Sequence, residues 1–127
     1  MFQIDVLSRK PVYEQIVSQM ERFVLTGVLA PGSQLPSVRS LSVELSINPN
    51  TIQRAYTELD RRGVICSVPG KGCFVSESAV KVLSEMKREK LVDLKEMVWE
   101  MKLAGVTLEE LLDLIRQVYE EKEVVRV

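Results

Sequence analysis

Asn50, Thr51, Gln53 and Arg54 open a segment that starts at Asn48-Pro49. Amides, a hydroxyl and a guanidinium grouped this way suit hydrogen bonding to base edges in a DNA major groove. Free backbone N–H groups at a helix start favour phosphate in the same place. Upstream, Ser37 and Arg39 stand at the head of a second short segment, where Arg39 can hold the sugar-phosphate backbone or reach a base. Downstream, Gly70 and Lys71 mark a turn that can approach phosphate or the minor groove closely, because glycine adds no side chain. Other chemistry is poorly supplied. The chain has no histidine, which excludes imidazole catalysis and most zinc sites. Two cysteines, Cys66 and Cys73, are too few for a zinc ribbon or a secreted disulfide scaffold. The carboxylates sit at helix surface positions with no convergent partners, so solvated charge is their role. The expectation is a binding protein, not an enzyme, with no metal and no cofactor.

The elements that would position these residues follow from period and punctuation. Residues 1–8 alternate Phe2, Ile4 and Val6, an extended arm. A helix fits Pro11–Thr26, with Pro11 at its first position, Val12, Ile16, Met20, Phe23 and Val24 on one stripe, and Gly27 just past its end. A connector with a Pro31-Gly32 turn leads to a short helix, Val38–Leu45, with Ser37 as its N-cap. After a tight turn at Ser46-Ile47, Asn48 caps a helix running to about Arg62, with Pro49 at its first position. Ile52, Ala55, Tyr56 and Leu59 fall on its buried face, which leaves the polar face at its start outward. Two helices joined by so short a turn form a helix-turn-helix unit. Arg61 and Arg62 complement the C-terminal dipole of the second helix. Runs 64–68 and 71–75 flank Pro69-Gly70, a hairpin with a two-residue loop, or "wing". That loop sets Cys66 opposite Cys73, leaving two readings open: a disulfide, or two reduced thiols.

A break near Glu77-Ser78 separates residues 1–76 from a tail, 77–127. One long helix fits Ala79–Leu103, closed by Gly105. Thr107-Leu108-Glu109-Glu110 is a capping box, with Val106 and Leu111 as a hydrophobic staple, for a last helix that frays after Glu121. The predicted fold class is therefore mainly α: a winged helix-turn-helix domain of three helices and a β-hairpin, followed by a two-helix dimerisation tail.

Composition permits this reading. With 127 residues and 46% hydrophobic residues, the chain suits one small domain with an appendage. Apolar runs are far too short for a membrane span and the N-terminus lacks a signal-peptide pattern, so a cytoplasmic location is expected. Residues 36–75 carry five basic and three acidic groups, against nine basic and eleven acidic in 79–127, a mild bias that fits a DNA-facing half and an acidic tail.

The order of motifs is also familiar. Leu35-Pro36-Ser37-Val38-Arg39-Ser40-Leu41, then Asn48-Pro49-Asn50-Thr51-Ile52-Gln53-Arg54-Ala55-Tyr56-Thr57-Glu58-Leu59, then Gly63 and Gly70-Lys71-Gly72-Cys73-Phe74-Val75, closely resemble the N-terminal domain of GntR-family bacterial transcription regulators over about residues 10–76. The short tail resembles the YtrA-type branch, whose members lack a large effector domain and dimerise through these helices. The resemblance implies a homodimer on a roughly palindromic double-stranded DNA operator. It places the family's arginine contact on Arg39, its recognition-helix contacts on Asn48, Asn50, Thr51 and Gln53, with Arg54 nearby, and its wing-tip glycine on Gly70. Two departures stand out: Pro49 replaces an arginine found in many members, implying a different base preference, and Cys73 replaces the usual threonine.

The tail helices are amphipathic and too short to close a core alone, so a two-fold copy is the simplest cover. The residues assigned to that face are Leu91, Leu94, Val98, Met101, Leu108, Leu111, Leu112, Ile115, Val118 and Tyr119. The competing reading folds both helices back onto the winged domain of the same chain. Trp99, Met86, Met97 and Met101 read as core rather than as a small-molecule pocket, and no effector is assigned. The functional alternative from another class is a winged-helix module that docks protein rather than DNA.

Overall fold

The computed structural model describes residues 2–121, so the expected fraying beyond Glu121 lies outside the described residues. The elements run α1 (Val12–Leu25), α2 (Val38–Leu45), α3 (Pro49–Arg61), β1 (Ile65–Val68), β2 (Gly72–Val75), α4 (Ala79–Glu89), α5 (Leu91–Leu103) and α6 (Leu108–Glu120). The chain divides into two compact units, one up to Leu83 and one from Ser84 onward.

In the first unit the predicted stripes meet. Ile16, Met20, Phe23 and Val24 of α1 are buried, as are Leu41 of α2 and Ile52, Ala55, Tyr56 and Leu59 of α3. Ala79 and Leu83, from the start of α4, are buried too. Each large side chain removed from water this way stabilises the unit by about 1.5–3 kcal/mol. Pro11 is the N-cap of α1 rather than its first helical residue, a shift within the usual fraying of helix ends. Ser46 closes α2 in a left-handed conformation, φ 55°, which makes the tight turn into Asn48 possible.

The N-terminal arm is secured by glutamines that periodicity does not flag. Gln19 takes a hydrogen bond from the Gln3 backbone N–H and returns one to its carbonyl; Gln15 does the same with Asp5. One turn apart on α1 and both buried, the two amides act as a substitute strand edge for the arm. Phe2 packs edge-on against Phe23, with ring centroids 5.2 Å apart.

The hairpin corrects the predicted register. Val68 pairs with Gly72, Ser67 with Cys73, Cys66 with Phe74 and Ile65 with Val75. Three residues, not two, make the loop. The reason is Pro69. Two-residue hairpin loops favour turns whose first central residue has positive φ, and proline is fixed at negative φ. Instead Lys71 N–H bonds to the Val68 carbonyl around a Pro-Gly turn with Gly70 at φ 76°, and the ladder closes one residue later with Gly72 at φ 116°. Alternate strand residues face opposite sides, so Cys66 and Cys73 lie on opposite faces of the hairpin and both thiols are free. The opposed-cysteine disulfide is excluded in this register. The connector adds a third lane to the sheet: Gln34 bridges to Phe74, and Leu35 N–H bonds to the Cys73 carbonyl.

In the second unit, the single helix expected over 79–103 is broken at Lys90. The Lys90 N–H bonds three residues back to the Lys87 carbonyl, and α5 resumes with Leu94 N–H on the Lys90 carbonyl. No glycine or proline announces this tightened turn. The capping box forms as expected: Thr107 Oγ1 accepts from the Glu110 N–H, and Glu110 accepts from the Thr107 N–H. The Thr107 N–H and the Thr107 hydroxyl both donate to the Glu110 carboxylate and hold it below its ordinary range.

Candidate nucleic-acid interface

Helix α3 is amphipathic in the way a groove-reading helix requires. Its apolar side is fully used inside the first unit. On the other side Asn50, Gln53, Arg54 and Thr57 are exposed, and Thr51 is half-buried. Asn48, exposed, caps the helix through Oδ1, which accepts from the Asn50 N–H at 2.8 Å; among the described residues its amide NH2 makes no hydrogen bond. Gln53 Nε2 lies 3.2 Å from Thr57 Oγ1, an exposed contact along the same face.

Helix α2 sets a second polar end beside this face. Ser37 Oγ accepts from the Ser40 N–H, so its hydroxyl serves as the N-cap. Arg39 is exposed and, among the described residues, has no hydrogen bond or ion pair. Tyr56 ties the two helices together: from the buried side of α3 its hydroxyl donates to the Pro36 carbonyl at 2.6 Å, just ahead of α2. Burial, with the nearby Cys73 and Glu44, pushes the phenol up, so the donor keeps its proton across the working pH range.

The three arginines of the segment separate into two kinds. Arg61 donates to both carboxylate oxygens of Glu58, and Arg62 bridges Glu58 at 2.9 Å and Glu21 of α1 at 3.0 Å. These bonds hold the Glu58 carboxyl down at about 2. Glu21 is itself buried, so the Arg62 bridge is a tie between α1 and α3 as well as a dipole partner. Arg54 differs: its guanidinium lies over the Tyr13 ring, 3.8 Å from the centroid.

Between α3 and the hairpin runs a cleft of about 400 Å³, lined by Val38, Gln53, Tyr56, Thr57, Asp60, Arg61, Ser67 and Cys73. Ser67 Oγ lies 3.2 Å from Asp60 and 3.4 Å from Cys73 Sγ, so a short polar chain crosses the cleft. At the hairpin tip Gly70 and Lys71 are exposed, and a Cβ on Gly70 would meet nothing within 4 Å. Its positive φ, rather than crowding, is what calls for glycine. Gly72 also has positive φ, and a Cβ there would displace only the end of the Gln34 side chain, 2.9 Å away.

The predicted contact residues thus occupy the starts of α2 and α3 and the hairpin tip, all in one unit. Sequence reasoning missed Tyr13, Glu21, Thr57, Asp60 and Gly72. Only Gly72 carried a signal, since a proline-led turn displaces the loop by one residue.

Residues 12–75 match the sequence model of the gntR family of bacterial regulatory proteins. The chain belongs to the GntR family. It is a DNA-binding transcription regulator of the YtrA-type branch. A HTH-type transcriptional repressor, YtrA, from Bacillus subtilis is 42% identical to this GntR chain over 93% of its length and 92% of the relative's. The crystal structure of a transcriptional regulator from Oenococcus oeni is similar at 33% identity with a TM-score of 0.73, covering 94% of this chain and 99% of that one. The DNA-binding domain of AraR, solved in complex with its operator ORX1, matches 60% of this chain and 93% of its own at 28% identity, TM-score 0.52.

The tail face predicted for dimerisation is uncovered in the single chain. Leu91, Leu94, Val98, Leu108, Ile115, Val118 and Tyr119 are exposed, and Met101, Leu111 and Leu112 half-buried. No residue of α5 or α6 is buried. Among the described residues, no helix is long and apolar enough to cross a membrane.

Proposed function

We propose that this GntR-family regulator is a cytoplasmic repressor that binds a roughly palindromic operator as a homodimer. The first turn of α3 enters the major groove, with Asn48, Asn50, Thr51, Gln53 and Arg54 toward base edges or phosphate. Ser37 and Arg39 hold the backbone at the start of α2, and Gly70 and Lys71 at the hairpin tip meet the backbone or minor groove. The carrying observation is the division of α3: one face wholly buried, the other exposed and beginning with uncommitted donors and acceptors. The operator complex of the AraR DNA-binding domain supports the same use of this fold. The repressor assignment draws on the name of the Bacillus subtilis relative.

The exposed apolar residues of α5 and α6 support dimerisation. A two-fold copy buries them, and it supplies the second reading head that a palindromic site needs.

The test starts from duplexes selected out of genomic DNA by the protein itself. Affinity should fall steeply with salt through counterion release. Arg39→Ala should weaken specific binding by about 1–3 kcal/mol with helicity unchanged. Salt-independent or absent duplex binding would reject the reading in favour of a protein-docking module. Sedimentation at micromolar concentration tests the dimer, and a strict monomer would refute it.

A further inference from the structure

We propose that Tyr13, on α1 and outside the recognition helix, is a positioning residue for DNA binding that holds the Arg54 guanidinium ready for its contact. This rests on the assignment of α3 as the DNA-reading helix. Of the three arginines at 54, 61 and 62, the latter two have their donors engaged by Glu58 and Glu21. Arg54 is fixed differently. Its Cζ lies over the Tyr13 ring, 3.8 Å from the centroid, in a cation–π contact rather than an ion pair. A contact with a ring face engages no oxygen acceptor, so N–H donors stay available for phosphate or a guanine edge. Among the described residues no oxygen accepts from them.

The platform is itself held. Tyr13 is half-buried, and its hydroxyl lies 3.2 Å from Glu14 Oε1. A long exposed side chain loses rotamer freedom when it docks, and one already laid on a fixed ring loses less. The contact is not needed to join α1 to α3. The Arg62–Glu21 bridge and the buried faces of both helices already do that. Its distinctive effect is to restrict a cation whose N–H donors remain open.

The experiment is a double-mutant cycle on operator affinity, using the full chain and a duplex selected by the wild-type protein, at several salt concentrations. Tyr13→Leu should weaken binding about threefold to tenfold. Tyr13→Phe, which keeps the ring, should stay within about twofold of wild type. In an Arg54→Ala background Tyr13→Leu should have almost no further effect. Arg54→Ala should also lower the salt slope by about one, whereas Tyr13→Leu, which keeps the charge, should leave it unchanged. Thermal unfolding of each variant separates a loss of fold from a loss of contact. An equal loss from Tyr13→Leu with and without Arg54, a loss in Tyr13→Phe as large as in Tyr13→Leu, or unchanged affinity in Tyr13→Leu would overturn the proposal. Wild-type protein that binds no duplex would instead bring down the assignment of α3.

Discussion

The winged unit and the tail helices solve the same problem differently. Both are built from helices rich in apolar residues, arranged in clear stripes except on α5, where the expected stripe is spread around the helix. In the first unit α1, α2, α3 and the hairpin bury their stripes against one another, so every buried hydrophobic residue among those described lies at or before Leu83. In α6 the stripe is as well formed in sequence, and α5 carries apolar residues over most of its circumference, yet Leu108, Val118 and Tyr119 remain exposed, the last at 86%. An apolar stripe therefore states that burial is required without stating by what. Large contiguous exposed apolar faces mark an interaction surface, and here they support an assembly in which the core of the tail is shared between copies.

The contrast can be broken at three points. The largest effect belongs to the first core. Ile52→Ala removes a fully buried side chain and should destabilise the winged unit by about 2–5 kcal/mol, read by denaturant unfolding at a concentration where oligomerisation is constant. A loss under 1 kcal/mol would mean that this core is not the one described. Next comes Ile115→Glu in α6. A charge placed on the exposed apolar face should shift the monomer–dimer equilibrium toward monomer by about tenfold or more, while the unfolding of the winged unit changes little. Sedimentation measures the first quantity and circular dichroism the second. If the variant unfolds the winged unit instead, the tail face belongs to the same core and the contrast disappears.

The smallest effect concerns the ion pairs of Glu58 at the end of α3. Glu58 has its carboxyl lowered from 4.5 to about 2 by hydrogen bonds from Arg61 and Arg62. A lowered carboxylate contributes stability that is fully present above its unfolded value and is lost as pH falls through the folded one. That contribution is thus complete above about pH 4.5 and disappears toward pH 2. Glu58→Gln should flatten the acid limb of a stability profile in that window. The effect should be small and screened by salt, because Arg61 is largely exposed. Parallel profiles for variant and wild type would show that the network contributes nothing to acid unfolding.

Much of this molecule was determined locally. The stripe of α1, the Ser37 and Asn48 caps, the four buried positions of α3 and the Thr107–Glu110 capping box all involve residues within a turn or two of each other. Helix geometry and the hydrogen-bonding needs of helix ends suffice to place them. Even the three-residue hairpin loop was contained in Pro69, whose fixed φ rules out the tighter loop. The tertiary structure alone decided the pairings between distant elements. Arg62 meets Glu21 across 41 residues, Gln15 and Gln19 clasp the arm, and Arg54 lies on Tyr13 rather than free in solvent. No periodicity encodes such meetings. They exist because burying the apolar faces of α1 and α3 against each other brings the polar flanks of both helices within reach, and that docking angle is a property of the packed core rather than of either segment.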